Sequence, residues 1–344
     1  MMTIQQNVNL LPYNTFHVQA MARQFAAVRN PGELDEVLEV CPPQQQPVLV
    51  LGGGSNLLFV DDYDGLVIRN ELMGITVVQE DDEYAYVQVG AGENWHRFVQ
   101  YCVQNGLGGV ENLSLIPGST GASPIQNIGA YGVEVKDVFH ALEAFHLGDR
   151  ERTTFNLEDC EFGYRESVFK KKHKGAFIIL HVTFRLSKKP RFNTSYGALE
   201  QELEKMGIQE LSLQAVSEAV IRIRQRKLPD PARIGNAGSF FKNPEVDLSV
   251  YQQLKKDFQN MPGYTTGEEK IKLAAGWLIE QCGWKGYRQG DAGCYEKQAL
   301  VLVNWGGATG RQIYQLSSEI AESVEKKFGV KLEREVNVIG SHLR

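Results

Sequence analysis

The sequence is short of several things, and each shortage narrows what it can be. No run approaches the roughly 18 to 20 consecutive apolar residues that span a bilayer, so no membrane helix is expected. Met1 to Ala20 has neither the basic start nor the apolar block of a secretory leader, which points to a cytoplasmic chain. The five cysteines (Cys41, Cys102, Cys160, Cys282, Cys294) are scattered without a CxxC and are expected to be reduced, mostly buried thiols. The seven histidines, His342 among them, fall in no HExxH or Cys/His spacing, so no metal is expected. Positive charge is scarce too. With 36 Lys+Arg against 42 Asp+Glu the net charge is −6, and the basic field of a general nucleic-acid binder is missing. An anionic ligand would need local cations.

What is present is an ordinary globular composition, 42% hydrophobic and 23% charged over 344 residues, long enough for two or three domains. Asn30-Pro31 reads as an N-cap and first helical position for a helix to Val40, with Leu34, Val37 and Leu38 on one face. Val48 to Leu51, all apolar, suits a strand buried on both faces. Ile75 to Val78 and Tyr84 to Val89 flank the acidic turn Asp81-Asp82-Glu83 as a hairpin. Trp95, Phe98, Val99 and Cys102 mark a helix, and Phe177 to Leu186 alternates like a strand. A helix with Val216, Val220 and Ile223 on one face ends before Pro229 and Pro231. A long helix runs through Ile313, Leu316, Ile320, Val324 and Phe328 to Gly329, and Lys331 to Ile339 alternates as a last strand. The fold class is α+β with three domains.

Glycine is over-used, with 34 residues where about 7% is usual. Two glycine-rich segments stand out. Gly52-Gly53-Gly54-Ser55-Asn56 follows the apolar strand and can bring successive N–H donors close to a ligand, though it is neither GxGxxG nor a Walker loop. Gly106 to Gly132 holds seven glycines, and from Asn112 to Val133 there is no charged residue. A loop this long is functional or disordered, and its interspersed Leu and Ile residues argue against disorder. Amides and hydroxyls of this kind could wrap a large flat cofactor. The basic run Arg222, Arg224, Arg226 and Lys227 reads as a solvated helix end. Arg165, Ser239 and Glu335 read by themselves as a surface arginine, a turn serine and a strand carboxylate; Ser239 is in no GxSxG elbow. Residue pattern alone reaches an α+β enzyme with a backbone-wrapped cofactor.

The same segments, in order and over nearly the full length, resemble the UDP-N-acetylenolpyruvoylglucosamine reductase family, flavoenzymes of peptidoglycan precursor synthesis. The matching blocks include Asn14-Thr15-Phe16, Leu51 to Asn56, Val89 to Trp95, Ile116-Pro117-Gly118, Ser123 to Gly132, Phe162-Gly163-Tyr164-Arg165, Lys227 to Pro231, Gly235 to Pro244, Ala274 to Ile279 and Leu332 to Val336. The resemblance implies two N-terminal subdomains that bind FAD, as in vanillyl-alcohol-oxidase-type (PCMH) flavoproteins, at 1–73 and 74–228. It implies a C-terminal substrate domain at 229–330, with 331–344 returning to the first subdomain. Met261 to Lys272 looks like the substrate-covering loop of the longer, type I members. The implied reaction is NADPH-dependent, FAD-mediated reduction of a UDP-linked enolpyruvyl sugar to UDP-N-acetylmuramate. Arg165, Ser239 and Glu335 match its catalytic residues. Gly52, Gly53, Gly54, Ser55, Asn56, Gly118, Gly121, Ser123, Pro124, Ile125, Gln126, Asn127, Gly129, Ala130 and Tyr131 match its FAD cradle. The flavin is expected to be non-covalent, since neither cradle segment has a His or Cys. Tyr196, Lys227, Asn243, Tyr264 and Gln298 resemble its substrate ligands. The implied partners are a UDP-sugar and NADPH; charge and hydropathy leave no nucleic acid or membrane partner expected, and a monomer is the expectation for the chain. An oxidase of the same fold and a non-catalytic nucleotide-sugar binder remain open on this basis.

Overall fold

The computed structural model describes residues 3–267 and 269–340; the end of the returning segment 331–344, His342 included, lies outside the described residues. The chain divides into two compact units. One comprises Met1–Val8, Ala22–Gly54 and Asp64–Arg226, the other Asn9–Met21, Ser55–Tyr63 and Lys227–Arg344. Among the described residues no helix is long and apolar enough to cross a membrane.

In the first unit Asn30 caps the helix Pro31–Val40 by accepting from Glu33 N at 3.0 Å. Leu34, Val37 and Leu38 share a core with Ala26, Val28, Leu66 and Ile68 of the adjoining sheet. The strands of that sheet run in the order Gln5–Asn9, Met21–Val28, Tyr63–Asn70, Val48–Leu51. Val48–Leu51 is a strand, parallel to Tyr63–Asn70, but it is not buried on both faces. It forms the sheet edge, and only Leu51 is fully buried while Val48, Leu49 and Val50 are half-buried.

A five-stranded antiparallel sheet follows, in the order Arg152–Asn156, Phe139–His146, Phe177–Ser187, Tyr84–Gly90, Ile75–Glu80. The acidic hairpin turn closes because the Asp81 carboxylate accepts from the main-chain N–H groups of Glu83 (2.8 Å) and Tyr84 (2.7 Å). Those bonds hold its pKa below the usual carboxylate value. Helix Trp95–Gln104 buries Trp95, Phe98, Val99 and Cys102 against Val182 and Phe184. Phe98 and Phe184 meet at 4.8 Å between ring centroids. Burial of a side chain of this size contributes about 1.5–3 kcal/mol.

The second unit centres on a sheet in the order Gly235–Ser239, Val301–Asn304, Ala292–Cys294, Arg288–Gln289. Helix Gly310–Phe328 starts with a capping box between Thr309 and Gln312 and ends at left-handed Gly329. Its Ile313, Leu316, Ile320, Val324 and Phe328 join Phe240, Leu302 and Leu58 in one core. The segment Asn14-Thr15-Phe16 is sewn into this unit. Thr15 Oγ1 donates to Asn236 O at 2.6 Å, and Asn236 N donates to Thr15 O at 2.9 Å. The last strand is shorter than its alternation suggests. Only Asn337–Ile339 is a strand, parallel to Leu57–Phe59, whereas 333–335 runs along Phe240–Lys242. The chain changes partner at Val336, which interrupts the ladder. All five cysteines are free and four of them are buried; burial pushes Cys160 and Cys294 up to about 12.

Candidate active site

The structure gathers the candidate residues into two groups, one in each unit. In the first unit the strand Val48–Leu51 runs into Gly52-Gly53-Gly54, and the loop at Gly118 lies against that turn. A Cβ on Gly53 would sit 2.9 Å from Gly118 Cα, and one on Gly52 would sit 2.1 Å from Ser119 Oγ. At Gly53 main chain meets main chain, and a side chain would drive the segments apart. The uncharged loop is pinned by bonds from Trp95 N to Gly118 O (3.0 Å), Thr120 N to Glu93 O (2.7 Å) and Gly121 N to Ala91 O (2.9 Å). Ser123 Oγ donates to Thr120 O and Ser167 Oγ to Ile125 O, at 2.7 and 2.6 Å. Two polar atoms of this region, Asn112 Oδ1 and Thr120 Oγ1, are buried without a hydrogen-bond partner. Such groups ordinarily find a ligand or a water.

Arg165 sits in a two-residue turn closed by bonds between Gly163 and Glu166, at 3.0 and 3.3 Å. Its φ of 56° places it in the left-handed region that a turn normally gives to glycine. Residues other than Gly, Asn or Asp bear a cost there of about 1–2 kcal/mol, and strain of this kind clusters at functional sites. The guanidinium donates to Gly129 O through Nη2 (2.7 Å) and lies 3.5 Å from Asn127 O through Nη1. The cation is thereby fastened to the end of the uncharged loop.

Arg224 corrects the reading of the basic run. Arg222 pairs with Glu218 and Arg226 with Glu202, on the outside of helix Leu213–Lys227. Arg224 instead turns inward, donating through Nε to Leu115 O at 3.2 Å with the Tyr131 side chain nearby. Burial lowers its pKa, with Tyr131 opposing and Arg165 adding to the effect. Burial likewise raises Tyr131, whose ring meets Tyr196 edge-on at 5.5 Å. The clue was available: Val216, Val220 and Arg224 are four apart and so share a face.

In the second unit Ser239 ends a strand that carries a bulge. Asn236 is opposite Val303 and Ser239 is opposite Val301, so three steps on one strand match two on the other. Gly238 takes φ 69° within it, its N–H donating to Asn236 Oδ1 at 3.0 Å. Bulges re-aim a side chain, often beside active sites. Glu335 is on the neighbouring segment, its N–H donating to Phe240 O at 2.9 Å, and Asn56 Nδ2 donates to Glu335 O at 3.3 Å. Ser239, Glu335 and Asn56 are thus on adjoining pieces of main chain.

Among the substrate candidates, Asn243 Oδ1 accepts from Ala275 N at 3.0 Å and Gln298 Oε1 from Leu300 N at 3.3 Å. Tyr264 stands exposed on the strand Gly263–Thr265, paired with Lys272. Lys227 is the exposed last residue of its helix, and Tyr196 precedes helix Gly197–Lys205.

Residues 22–150, which contain the glycine turn and the uncharged loop, match the family described as FAD binding domain; the chain is an FAD-dependent oxidoreductase. Residues 230–339 match the family described as UDP-N-acetylenolpyruvoylglucosamine reductase, C-terminal domain. UDP-N-acetylenolpyruvoylglucosamine reductases of Amoebophilus asiaticus and Pseudomonas syringae pv. tomato are 49% and 50% identical to it. The first match covers 98% of this chain and 100% of the relative, the second 97% and 98%. The crystal structure of the reductase from Thermus caldophilus superposes with a TM-score of 0.68 at 27% identity, over 99% of this chain and 100% of that one. The chain belongs to the UDP-N-acetylenolpyruvoylglucosamine reductase family. Its fold is an FAD binding domain followed by the family's C-terminal domain. The residues present suit FAD: the glycine contact admits no Cβ, the loop carries no charge, and buried polar atoms await partners.

Proposed function

We propose that the protein is an NADPH-dependent, FAD-mediated reductase that converts the enolpyruvyl group of a UDP-N-acetylglucosamine ether to UDP-N-acetylmuramate, a step of peptidoglycan precursor synthesis. The observation that carries this reading is a guanidinium on a strained backbone, bonded to the same uncharged loop that lies against the glycine turn. In this reading 1–73 and 74–228 are the FAD-binding subdomains and 229–330 the substrate domain. Gly52 to Asn56 and Gly118 to Tyr131 would hold the cofactor by main-chain N–H groups, which suit a pyrophosphate without adding charge. When bound, FAD supplies hydride carriage from NADPH to the enolpyruvyl carbon.

The protein residues handle the charge and the proton. Addition of hydride to the methylene carbon moves an electron pair onto the adjacent carbon and its carboxylate. Arg165 would stabilise that enediolate as its charge develops, a role suited to a fixed, permanently charged fork. The Ser239 hydroxyl would then deliver its proton to the carbon beside the carboxylate, with Glu335 as the carboxyl partner of the site. Lys227, Tyr196, Asn243, Tyr264 and Gln298 would bind the uridine diphosphate and sugar; Lys227 supplies the local cation that an acidic chain needs for a diphosphate. The enzyme would act as a monomer in the cytoplasm, with no nucleic acid as partner. Ser239→Ala tests the assignment. Flavin bleaching by NADPH should persist at the wild-type rate, while recolouring by the enolpyruvyl substrate slows by about 10²- to 10⁴-fold. Wild-type speed in both halves would remove Ser239 from the mechanism.

A further inference from the structure

We propose that the side chain of Asn127 is a positioning group for the Arg165 guanidinium, separate from the main-chain role given to its loop and left intact by a change of side chain, an inference that rests on the role given to Arg165 above. The Asn127 side chain is fully buried, and protein atoms engage both of its polar groups. Nδ2 donates to Glu134 Oε2 at 2.9 Å and to Gly163 O at 3.0 Å; Oδ1 accepts from Lys136 N at 3.0 Å. Gly163 is the first residue of the turn that carries Arg165. One carboxamide therefore ties the uncharged loop, the segment after it and the base of the arginine turn. Its main chain faces the same cation, with Asn127 O 3.5 Å from Arg165 Nη1 and Gly129 O 2.7 Å from Nη2.

The chemistry asks for an amide of this length. Two acceptors, a carboxylate and a carbonyl, need two donors, and a main-chain N–H needs one acceptor. Asn also tolerates the left-handed backbone found here, φ 44°. Asp would keep the shape but turn a carboxylate toward Glu134 Oε2 and Gly163 O, loosening the turn beneath Arg165 without adding bulk.

The test is a double-mutant cycle on FAD-loaded enzyme with Asn127→Asp, Arg165→Ala and the pair. Asn127→Asp should retain FAD and its bleaching by NADPH, while recolouring by the UDP-linked enolpyruvyl substrate slows by about 10- to 100-fold. In the Arg165→Ala background the same change should cost less than about twofold. Calorimetric affinity of the oxidised enzyme for UDP-N-acetylmuramate should show the same silence. Glu134→Ala, which removes one anchor of the amide, should produce a weaker loss in the same half-reaction; it carries the test if Asn127→Asp does not fold. Loss of FAD from Asn127→Asp, equal slowing of both half-reactions, or penalties that multiply with Arg165→Ala would overturn the assignment. A wild-type enzyme that leaves the enolpyruvyl group unreduced would instead overturn the functional reading on which it rests.

Discussion

Arg165 holds its charge on a backbone conformation that suits glycine. In the role proposed for it, function and stability pull in opposite directions at this one residue. Arg165→Gly should melt higher than Arg165→Ala, by the equivalent of about 1 kcal/mol, although both lose the enolpyruvyl step. Equal melting temperatures would show that the turn is unstrained. His96 adds a pH dependence. Leu115 N donates to its Nδ1 at 2.9 Å, so the ring is neutral, and burial together with the Arg224 charge depresses its pKa. A depressed pKa means that the folded state binds the proton less readily than the unfolded chain. The stability it contributes is complete above the ordinary histidine value of about 6.5 and is lost as pH falls through the folded value. His96→Gln should flatten the acid side of a plot of melting temperature against pH between about 7 and 5. His181, depressed by burial as well, leaves a residual slope. An unchanged profile in the variant would exclude His96 as a contributor.

At the scale of elements, simple periodicity was readable and changes of partner were not. Trp95, Phe98, Val99 and Cys102 announce their helix because spacings of three and four put them on one face, and all four are buried. Lys331 to Ile339 alternates like one strand, yet it serves two partners, Phe240–Lys242 and Leu57–Phe59. Alternation says which side is apolar and not what it pairs with. Arg224 was missed because a run of cations looks like a solvated helix end; only its phase relative to Val216 and Val220 tells otherwise. The glycine turn was visible as a cluster, but its reason, a Gly118 Cα that a Cβ on Gly53 would meet at 2.9 Å, lies 65 residues away. Gly53→Ala should fold, since the clash is confined to two loops, and yet purify with a lower flavin-to-protein ratio by absorbance. A full flavin complement would mean the two segments can part without loss.

Across the whole molecule, what local sequence could not convey is which distant pieces share a unit. Asn9–Met21 belongs with residues beyond Lys227, through bonds such as Thr15 Oγ1 to Asn236 O. No window of a few residues encodes a pairing of that separation. The family was nevertheless legible, because an ordered series of blocks can be matched where pairwise contacts cannot be read, and the proposed site residues follow from those blocks. Arg165 beside Asn127 and Gly129, and Ser239 on a bulge next to the Glu335 segment, then supply geometry that the series lacks. The central claim is that electrons pass from NADPH to an enolpyruvyl sugar within this one chain. An anaerobic visible-absorbance titration of the purified protein tests it most directly. A yellow protein bleached by NADPH and recoloured by one equivalent of UDP-linked enolpyruvyl substrate, with oxygen excluded, is the predicted result. A colourless protein, or a bleached one that recolours only when air is admitted, would contradict it.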